Sequence, residues 1–244
     1  MEIQLLGCGD AFFSGARNHT SFLVNLDPFR FLIDCGVTAL QALRRHQVST
    51  DQIDAIVLSH FHGDHFGGLP YLILDAQYQT ARSRPLTIMG PVSVADRVRQ
   101  LMQLTYPSTD LDKFKFPIRF IEYKVGNYSD LGPASILPYE MVHVPEALPH
   151  GLRISFDDKV LAFSGDTGWT ENLVPLAEGA DLFICECNFY ETELPSHLSY
   201  QRILKEQHKL KSKRMVLTHL GPEMLSRLNE LEIECAEEGQ KIVI

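Results

Sequence analysis

The chain carries the stretch Leu58-Ser59-His60-Phe61-His62-Gly63-Asp64-His65-Phe66-Gly67-Gly68, and this stretch decides the fold. It places four side chains of metal-binding type within six residues, directly after the short apolar run 53–58. An apolar, partly β-branched run of this length is typical of a buried strand. The four side chains therefore lie in a loop at a strand end, where functional residues concentrate.

The spacing of these side chains predicts two metal ions. Residues two apart in an extended segment point the same way, so His60 and His62 can share one ion. Asp64 and His65 are adjacent in sequence and turn toward another ion. Imidazole and carboxylate ligands suit zinc, manganese or iron. Surface histidines in a polar loop are the alternative, but this density and spacing favour a metal site, and the nearby glycines let the backbone fold tightly around ions.

The pattern His60-x-His62-x-Asp64-His65 resembles the signature of the metallo-β-lactamase superfamily of metallohydrolases. Its flanks most resemble the ribonuclease Z branch, in which a Gly-Leu-Pro follows the motif closely, as at 68–70 here. The resemblance extends along nearly the whole chain. It implies an α/β (α+β) fold, a four-layer αββα sandwich of two mixed sheets with helices outside and the site at one edge between the sheets.

Composition sets limits on the class of protein. With 244 residues and 45% hydrophobic content the chain can bury a large core, and we expect one metallo-β-lactamase-like hydrolase domain over 1–244. The net charge of -9 leaves no general basic surface for a long phosphate backbone. No signal-like N-terminus and no membrane-length apolar run is present, so we expect a cytoplasmic protein. Five cysteines without a Cys-x-x-Cys pair argue against a disulfide framework and a structural zinc knuckle.

Hydrophobic periodicity and turn residues predict three meandering strands followed by β-α alternation, and then the same order again. Two such halves fit two sheets packed face to face. The predicted strands are 2–7, 21–26, 30–34, 53–58, 86–89, 118–123, 136–144, 151–156, 159–164, 181–187 and 214–218. The predicted helices are 37–46, 69–78, 93–104, 173–177 and 199–208, with a surface loop at 106–115.

Further ligands are implied by the resemblance, position by position. One ion is assigned His60, His62 and His143, the other Asp64, His65 and His219, and Asp166 bridges both. Ser164-Gly165-Asp166-Thr167 reproduces the family's Gly-Asp-Thr at the end of an apolar strand, a turn aspartate being the alternative. His150 competes with His143, which we prefer because it ends the predicted strand.

Two ions a few ångström apart can hold a hydroxide at neutral pH and polarise the phosphoryl or carbonyl oxygen it attacks. The leaving group then needs a proton unless it is already a stable anion. The resemblance implies Asp64 and His197 as catalytic residues and Glu186 as the carboxylate that orients His197. Serine replaces the branch's threonine two residues after His197, and the neighbours of Glu186 depart from the usual His-Glu-Ala-Thr. A helix N-cap interaction is the alternative for His197.

Other residues receive supporting or structural roles. Asp34 lies in a segment that resembles the first family motif and is implied to support a metal ligand by hydrogen bonding. The glycine-rich loop 7–18 resembles a family loop near the site, or is a plain connector. His19, His46 and His208 match no ligand motif and are assigned to the surface or to loops.

One departure from ribonuclease Z bears on substrate. In that branch a long arm that grips transfer RNA lies between the positions of His143 and Asp166, but here only 23 positions separate them, enough for one hairpin. The sequence therefore predicts a phosphodiesterase with two divalent transition-metal ions, zinc foremost and manganese or iron as alternatives. The expected substrate is a small or cyclic phosphodiester, as for the superfamily's armless cyclic phosphodiesterases. Long nucleic acid and membrane are not expected, and a homodimer is allowed.

Three alternatives stay open at this point. The first is a lactone, thioester or lactam hydrolase, against which Glu186 and His197 argue because they suit a phosphodiester leaving group. The second is a transfer-RNA 3′ endonuclease. The third is a non-catalytic binding module or redox di-iron protein, although flavodiiron proteins usually carry a carboxylate in the histidine pattern that His62 completes.

Overall fold

The computed structural model describes residues 1–244. Its thirteen strands are β1 (Glu2–Gly7), β2 (Ser21–Asn25), β3 (Arg30–Ile33), β4 (Ala55–Val57), β5 (Leu86–Gly90), β6 (Ile118–Glu122), β7 (Ser129–Leu131), β8 (Ala134–Glu140), β9 (His150–Phe156), β10 (Lys159–Phe163), β11 (Leu182–Glu186), β12 (Met215–Thr218) and β13 (Lys241–Val243). Its seven α-helices are α1 (Ala39–Arg45), α2 (Gly63–Phe66), α3 (Leu69–Tyr78), α4 (Val94–Thr105), α5 (Leu173–Ala177), α6 (Tyr200–Glu206) and α7 (Pro222–Leu225). No helix is both long and apolar enough to cross a membrane.

The strands form two mixed sheets. Seven strands pair in the order β13-β1-β2-β3-β4-β5-β6, and six pair in the order β12-β11-β10-β9-β8-β7. Strands β1, β2 and β3 form the predicted antiparallel meander, whereas β3 to β6 run parallel. In the second sheet β10, β11 and β12 run parallel. Parallel strands end on the same side of a sheet, so the loops after β3, β4, β10, β11 and β12 can meet at one edge.

Side chains along each strand alternate between the core that lies between the sheets and the helices that lie outside them. Phe31 and Ile33 face the core between the sheets, whereas Leu32 between them faces the helices outside the first sheet. In the second sheet Ile184 faces the same central core, and Phe183 faces outward. Successive strand residues point to opposite faces, so each sheet buries both sides. Helices α1, α3 and α4 cover the first sheet and α5, α6 and α7 the second, which confirms the predicted αββα sandwich.

Glycine permits a close backbone approach beside the histidine motif. A Cβ atom on Gly68 would lie 2.0 Å from the carbonyl oxygen of Gly36, and one on Gly36 would lie 2.0 Å from that of Asp64. Real Cβ atoms do not approach so closely, so these positions require glycine. By contrast, Gly63 has open space around its Cα. Backbone-to-backbone packing at Gly36 and Gly68 holds the motif loop against the end of β3.

The predicted end of strand 136–144 is wrong, whereas the predicted helix 199–208 begins within one residue of the observed start. Strand β8 ends at Glu140, so His143 lies in a loop and not at a strand end. There Val142 donates its N–H to Thr167 Oγ1 (3.0 Å) instead of continuing the sheet ladder. Helix α6 begins at Tyr200, capped by the Ser199 hydroxyl, which accepts the N–H of Arg202. His197 therefore lies before this helix and does not cap it.

Short elements escaped prediction. Strands β7 and β13 have three residues each, and helices α2 and α7 have four. Segments of this length form because neighbouring strands and tertiary contacts stabilise them, which no periodicity signals. The predicted surface loop 106–115 also holds a short 3-10 turn, Leu111–Lys113, in which Leu111 is buried.

Candidate metal centre

The structure brings the predicted ligands together in two groups. Each residue of a group offers one ligand atom, and within each group these atoms lie within 4.8 Å of one another. The first group contains His60, His62, His143 and Asp166, and the second contains Asp64, His65, His219 and Asp166. These are the two sets that the resemblance implied, with Asp166 common to both.

The shared Asp166 carboxylate lies between the two groups. Its Oδ2 atom is 3.7 Å from His60 Nε2 and 3.4 Å from His219 Nε2, and its Oδ1 atom is 3.3 Å from His65 Nε2. Elsewhere His143 Nε2 lies 3.0 Å from His62 Nδ1. The nitrogen atoms thus converge on one carboxylate from both sides.

Several atoms of these groups are buried without a hydrogen-bond partner, namely His60 Nε2, His65 Nε2 and Asp166 Oδ1. An unsatisfied buried polar atom is costly, and native proteins contain few of them. Three such atoms face one another here. A cation in each group would satisfy these atoms, His60 Nε2 in the first and His65 Nε2 in the second, with the Asp166 carboxylate shared, so the residues fit the divalent ions that the resemblance implies.

The charge state of the side chains also suits a cation. Burial lowers the pKa of His60, His62 and His143, so each imidazole stays neutral, the form that binds metal. Burial opposes ionisation of Asp166, but His219 and His65 outweigh it and hold the pKa of this carboxyl well below its usual range. Likewise burial opposes protonation of His65, but the neighbouring carboxylates raise its pKa well above the usual value. This excess of carboxylate around His65 is charge that a metal ion neutralises.

Hydrogen bonds behind the ligands fix their ring orientation. Asp34 is fully buried, and its Oδ2 lies 2.7 Å from His65 Nδ1 and accepts from the Ser59 hydroxyl (2.8 Å). That hydroxyl also lies 3.0 Å from His60 Nδ1, so one chain of bonds joins both groups. Bonds of this kind set the tautomer of a ligating histidine. The predicted support of a ligand by Asp34 therefore has a matching contact.

Replacing Asp34 is expected to weaken metal binding without removing a ligand. Asp34→Ala leaves His65 Nδ1 and the Ser59 N–H without their partner, and loss of such support costs roughly 10- to 100-fold in metal affinity. Competition with a fluorescent chelator measures the change. Ser59→Ala keeps the Asp34–His65 bond, so its metal affinity should fall less. Equal metal affinity in Asp34→Ala and the wild type would contradict the supporting role of Asp34.

The predicted dyad of His197 and Glu186 is formed. His197 Nδ1 lies 2.8 Å from Glu186 Oε1, and the Nε2 atom makes no hydrogen bond within the protein. Glu186 is fully buried and also accepts the N–H groups of Thr167 (2.7 Å) and Leu198 (3.2 Å). Burial opposes protonation of His197, but the carboxylate outweighs it and raises the pKa of the imidazole to about 9. The ring stacks on His219 at 5.5 Å and belongs to neither ligand group.

A cavity of about 360 Å³ opens above both groups, within the usual size of small-molecule sites. Its floor is formed by site residues, including Asp64, Asp166 and His197, and its mouth is partly apolar. No lysine or arginine lines it. Positive charge for an anionic substrate must therefore come from bound metal and from His197.

Two further histidines, His150 and His19, lie outside both ligand groups. His150 donates from Nδ1 to the carbonyl oxygen of Leu148 (2.7 Å) and packs against Tyr123, outside both groups. His19, assigned from sequence to the surface or to a loop, lies in the segment before β2 but is buried there, and it stacks on Phe13 at 4.3 Å. No motif marks it, because its burial arises from the loop 7–18 folding over the second ligand group.

Some site residues were not identified from sequence. Ser196 provides the carbonyl oxygen that lies 2.7 Å from His143 Nδ1, and Ser59 bridges Asp34 and His60. Phe12 and Phe189 line the cavity. Only Ser59 carries a local signal, since it directly precedes the first histidine of the motif.

The fold and these two groups define a metallohydrolase of the metallo-β-lactamase fold. The match to the family described as "Anti-Pycsar protein Apyc1" spans residues 1–241, and the chain belongs to this family. It is also 25% identical over 292 residues to ribonuclease Z of Staphylococcus epidermidis, covering 96% of this chain and 94% of that protein. Since 96% of this chain is about 234 residues, close to 60 aligned positions hold no residue of this chain.

Two further relatives agree in fold. The probable metallo-hydrolase YhfI of Bacillus subtilis is 26% identical over 226 residues, covering 90% of this chain and 87% of that protein. Its crystal structure matches with a TM-score of 0.82 at 21% identity, covering 99% of this chain and 98% of that one. The short form of human tRNase Z matches with a TM-score of 0.79 at 24% identity, covering 100% and 99% of the two chains.

Proposed function

We propose that this chain is a phosphodiesterase of small or cyclic phosphodiesters, in one hydrolase domain over 1–244. Two divalent transition-metal ions, zinc foremost, would be held by the seven ligands His60, His62, Asp64, His65, His143, Asp166 and His219. When bound, such ions activate water for attack and polarise the phosphoryl oxygen. The observation that carries the proposal is the His197–Glu186 dyad at the same cavity as both ligand groups.

His197 supplies what a phosphodiester requires beyond the metal site. Its Nδ1 is engaged by Glu186, which leaves the protonated Nε2 as the donor to the departing alkoxide oxygen. The Asp64 carboxylate belongs to the second ligand group and lies 3.2 Å from His65 Nε2. It would help to hold the ion of that group and to orient the attacking water. A proton donor at this position would contribute little to hydrolysis of a thioester, because the thiolate leaves without a proton.

The dimensions of the site support a small substrate. Between His143 and Asp166 the chain forms one short 3-10 turn (Pro145–Ala147) and the hairpin of β9 and β10, so the segment is too short to hold a long arm. The chain also carries a net charge of -9, which repels a polyanion. A 3′,5′-cyclic nucleotide or a cyclic sugar phosphate is the size of substrate that a cavity of about 360 Å³ accepts.

The proposal is tested by elemental analysis of protein purified without chelator, combined with a substrate panel. We expect about two metal ions per chain and hydrolysis of cyclic phosphodiesters above that of thioesters, lactones and lactams. A metal content fixed at one or below under metal-replete conditions would refute the two-ion site. Preferred hydrolysis of a carbonyl substrate would refute the phosphodiesterase.

Transfer-RNA 3′ processing is a second candidate, favoured by the likeness to ribonuclease Z. The missing arm and the acidic charge count against it. A precursor transfer RNA therefore belongs in the same comparison, as a substrate that should be cleaved poorly.

A further inference from the structure

Phe12 is the most exposed large apolar side chain of the molecule, at 85%, and it stands at the mouth of the metal cavity. An isolated exposed apolar residue needs no explanation, but this one shares a cavity with both ligand groups. Phe189 and Leu194 line the same cavity. The cavity therefore combines a metal-binding floor with an apolar mouth.

The backbone that carries Phe12 is held firmly. The buried Asp10 carboxylate accepts the N–H groups of Phe12 (3.1 Å) and Ser14 (3.0 Å) and the Ser14 hydroxyl (2.7 Å). The next residue, Phe13, stacks on buried His19 and adopts a left-handed conformation with φ of 58°. A non-glycine residue keeps such a conformation only where its surroundings impose it, and such residues cluster at functional sites.

Further contacts anchor the C-terminal end of this loop. Asn18 donates from Nδ2 to the carbonyl oxygen of Leu6 (3.1 Å), and Arg17 donates to that of Ala236 (3.1 Å). The loop is thus tied to β1 and to the segment before β13. The ring of Phe12, by contrast, stays exposed beside the cavity.

We propose that Phe12 is a specificity-determining residue, the platform on which a flat aromatic group of the substrate stacks while its phosphodiester reaches the metal-binding floor. This inference rests on the proposed phosphodiesterase function and assigns Phe12 a contact with a part of the substrate that does not react. Stacking on an aromatic side chain is sequence-tolerant because every base presents a π-face. Phe12 should therefore select for the presence of a base more than for its identity.

The test is steady-state kinetics with two substrates, a 3′,5′-cyclic nucleotide and the same ribose cyclic phosphate lacking the base. Phe12→Ala should raise KM for the nucleotide by roughly tenfold, the scale of a lost base-stacking contact, with kcat unchanged. The base-free substrate should show no change. Phe12→Trp should keep KM at or below the wild-type value. Val243→Ala, which trims another exposed side chain on the distant edge strand β13, should match the wild type on both substrates.

Two results would overturn this inference while the proposed function stands. The first is an equal rise in KM for both substrates in Phe12→Ala. The second is an unchanged KM for both. An equal loss accompanied by dissociation of a dimer in sedimentation would make Phe12 an interface residue. A wild-type enzyme that hydrolyses neither substrate would instead overturn the proposed function and, with it, the role of Phe12.

Discussion

Asp166→Ala is expected to remove hydrolysis and to lower the metal content of both ligand groups together. The carboxylate approaches His60, His65 and His219 within 3.7 Å and is the only residue common to the two groups. Its loss removes the anionic ligand of the first group entirely. Stabilisation by a metal ion is worth several kcal/mol in the transition state, so activity should fall by roughly 10³-fold or more. Elemental analysis and initial rates on the same preparation measure both effects.

His150→Ala is the matched control for this prediction. His150 lies near the site in sequence and was the competitor of His143, but it contacts Leu148 and Tyr123 and belongs to neither group. Its removal should leave the metal content unchanged. If His150→Ala loses metal whereas His143→Ala does not, the assignment of His143 as a ligand is wrong. Retention of full metal by Asp166→Ala would contradict a bridging role.

His197→Ala is expected to slow hydrolysis of a phosphodiester with an alkoxide leaving group by roughly 100-fold or more, the usual effect of losing a general acid. The metal content should stay unchanged, because His197 belongs to neither ligand group. Bis-p-nitrophenyl phosphate provides the comparison, since its nitrophenolate departs as an anion with little need of a proton. The variant should be far less impaired on that substrate.

Glu186→Gln should also lose more of the hydrolysis rate with an alkoxide leaving group than with nitrophenolate, but the losses should be smaller than in His197→Ala. The carboxylate only positions the imidazole and holds its proton, through the 2.8 Å contact to Nδ1. Equal losses on both substrates with metal intact would mean that His197 binds phosphate instead of donating a proton. Loss of metal in His197→Ala would make it a ligand and would refute the seven-ligand scheme.

The parts of the site that sequence predicts best are local. His60 and His62 follow β4 directly, and Asp64 and His65 lie in the four-residue helix α2 just after them, so the proximity of the four follows from their closeness in sequence. Asp166 and His219 each follow an apolar strand, and parallel pairing of β10, β11 and β12 brings those strand ends together. The fold class is predictable for the same reason, because the alternation of strands and helices dictates the layers.

The remainder depends on contacts between distant segments. His143 lies in a loop that is held by the bond from Val142 N–H to Thr167 Oγ1, 25 residues later in the chain. Strand periodicity therefore predicted a strand that continues too far. The partners Ser59 and Ser196 act through hydrogen bonds that no spacing encodes. Phe12 lines the cavity from a loop that is held by the Asp10 carboxylate and by contacts to distant segments. Such features follow from tertiary packing, which a single sequence does not display.

The most direct test of the account compares kcat/KM for a 3′,5′-cyclic nucleotide with kcat/KM for a precursor transfer RNA, using one metal-loaded preparation. The cavity of about 360 Å³, the short hairpin of β9 and β10 and the net charge of -9 all favour the small substrate. We predict opening of the cyclic phosphodiester with the higher kcat/KM, together with little or no 3′ cleavage of the RNA. Efficient 3′ cleavage of the transfer RNA, with the cyclic nucleotide left intact, would contradict the account.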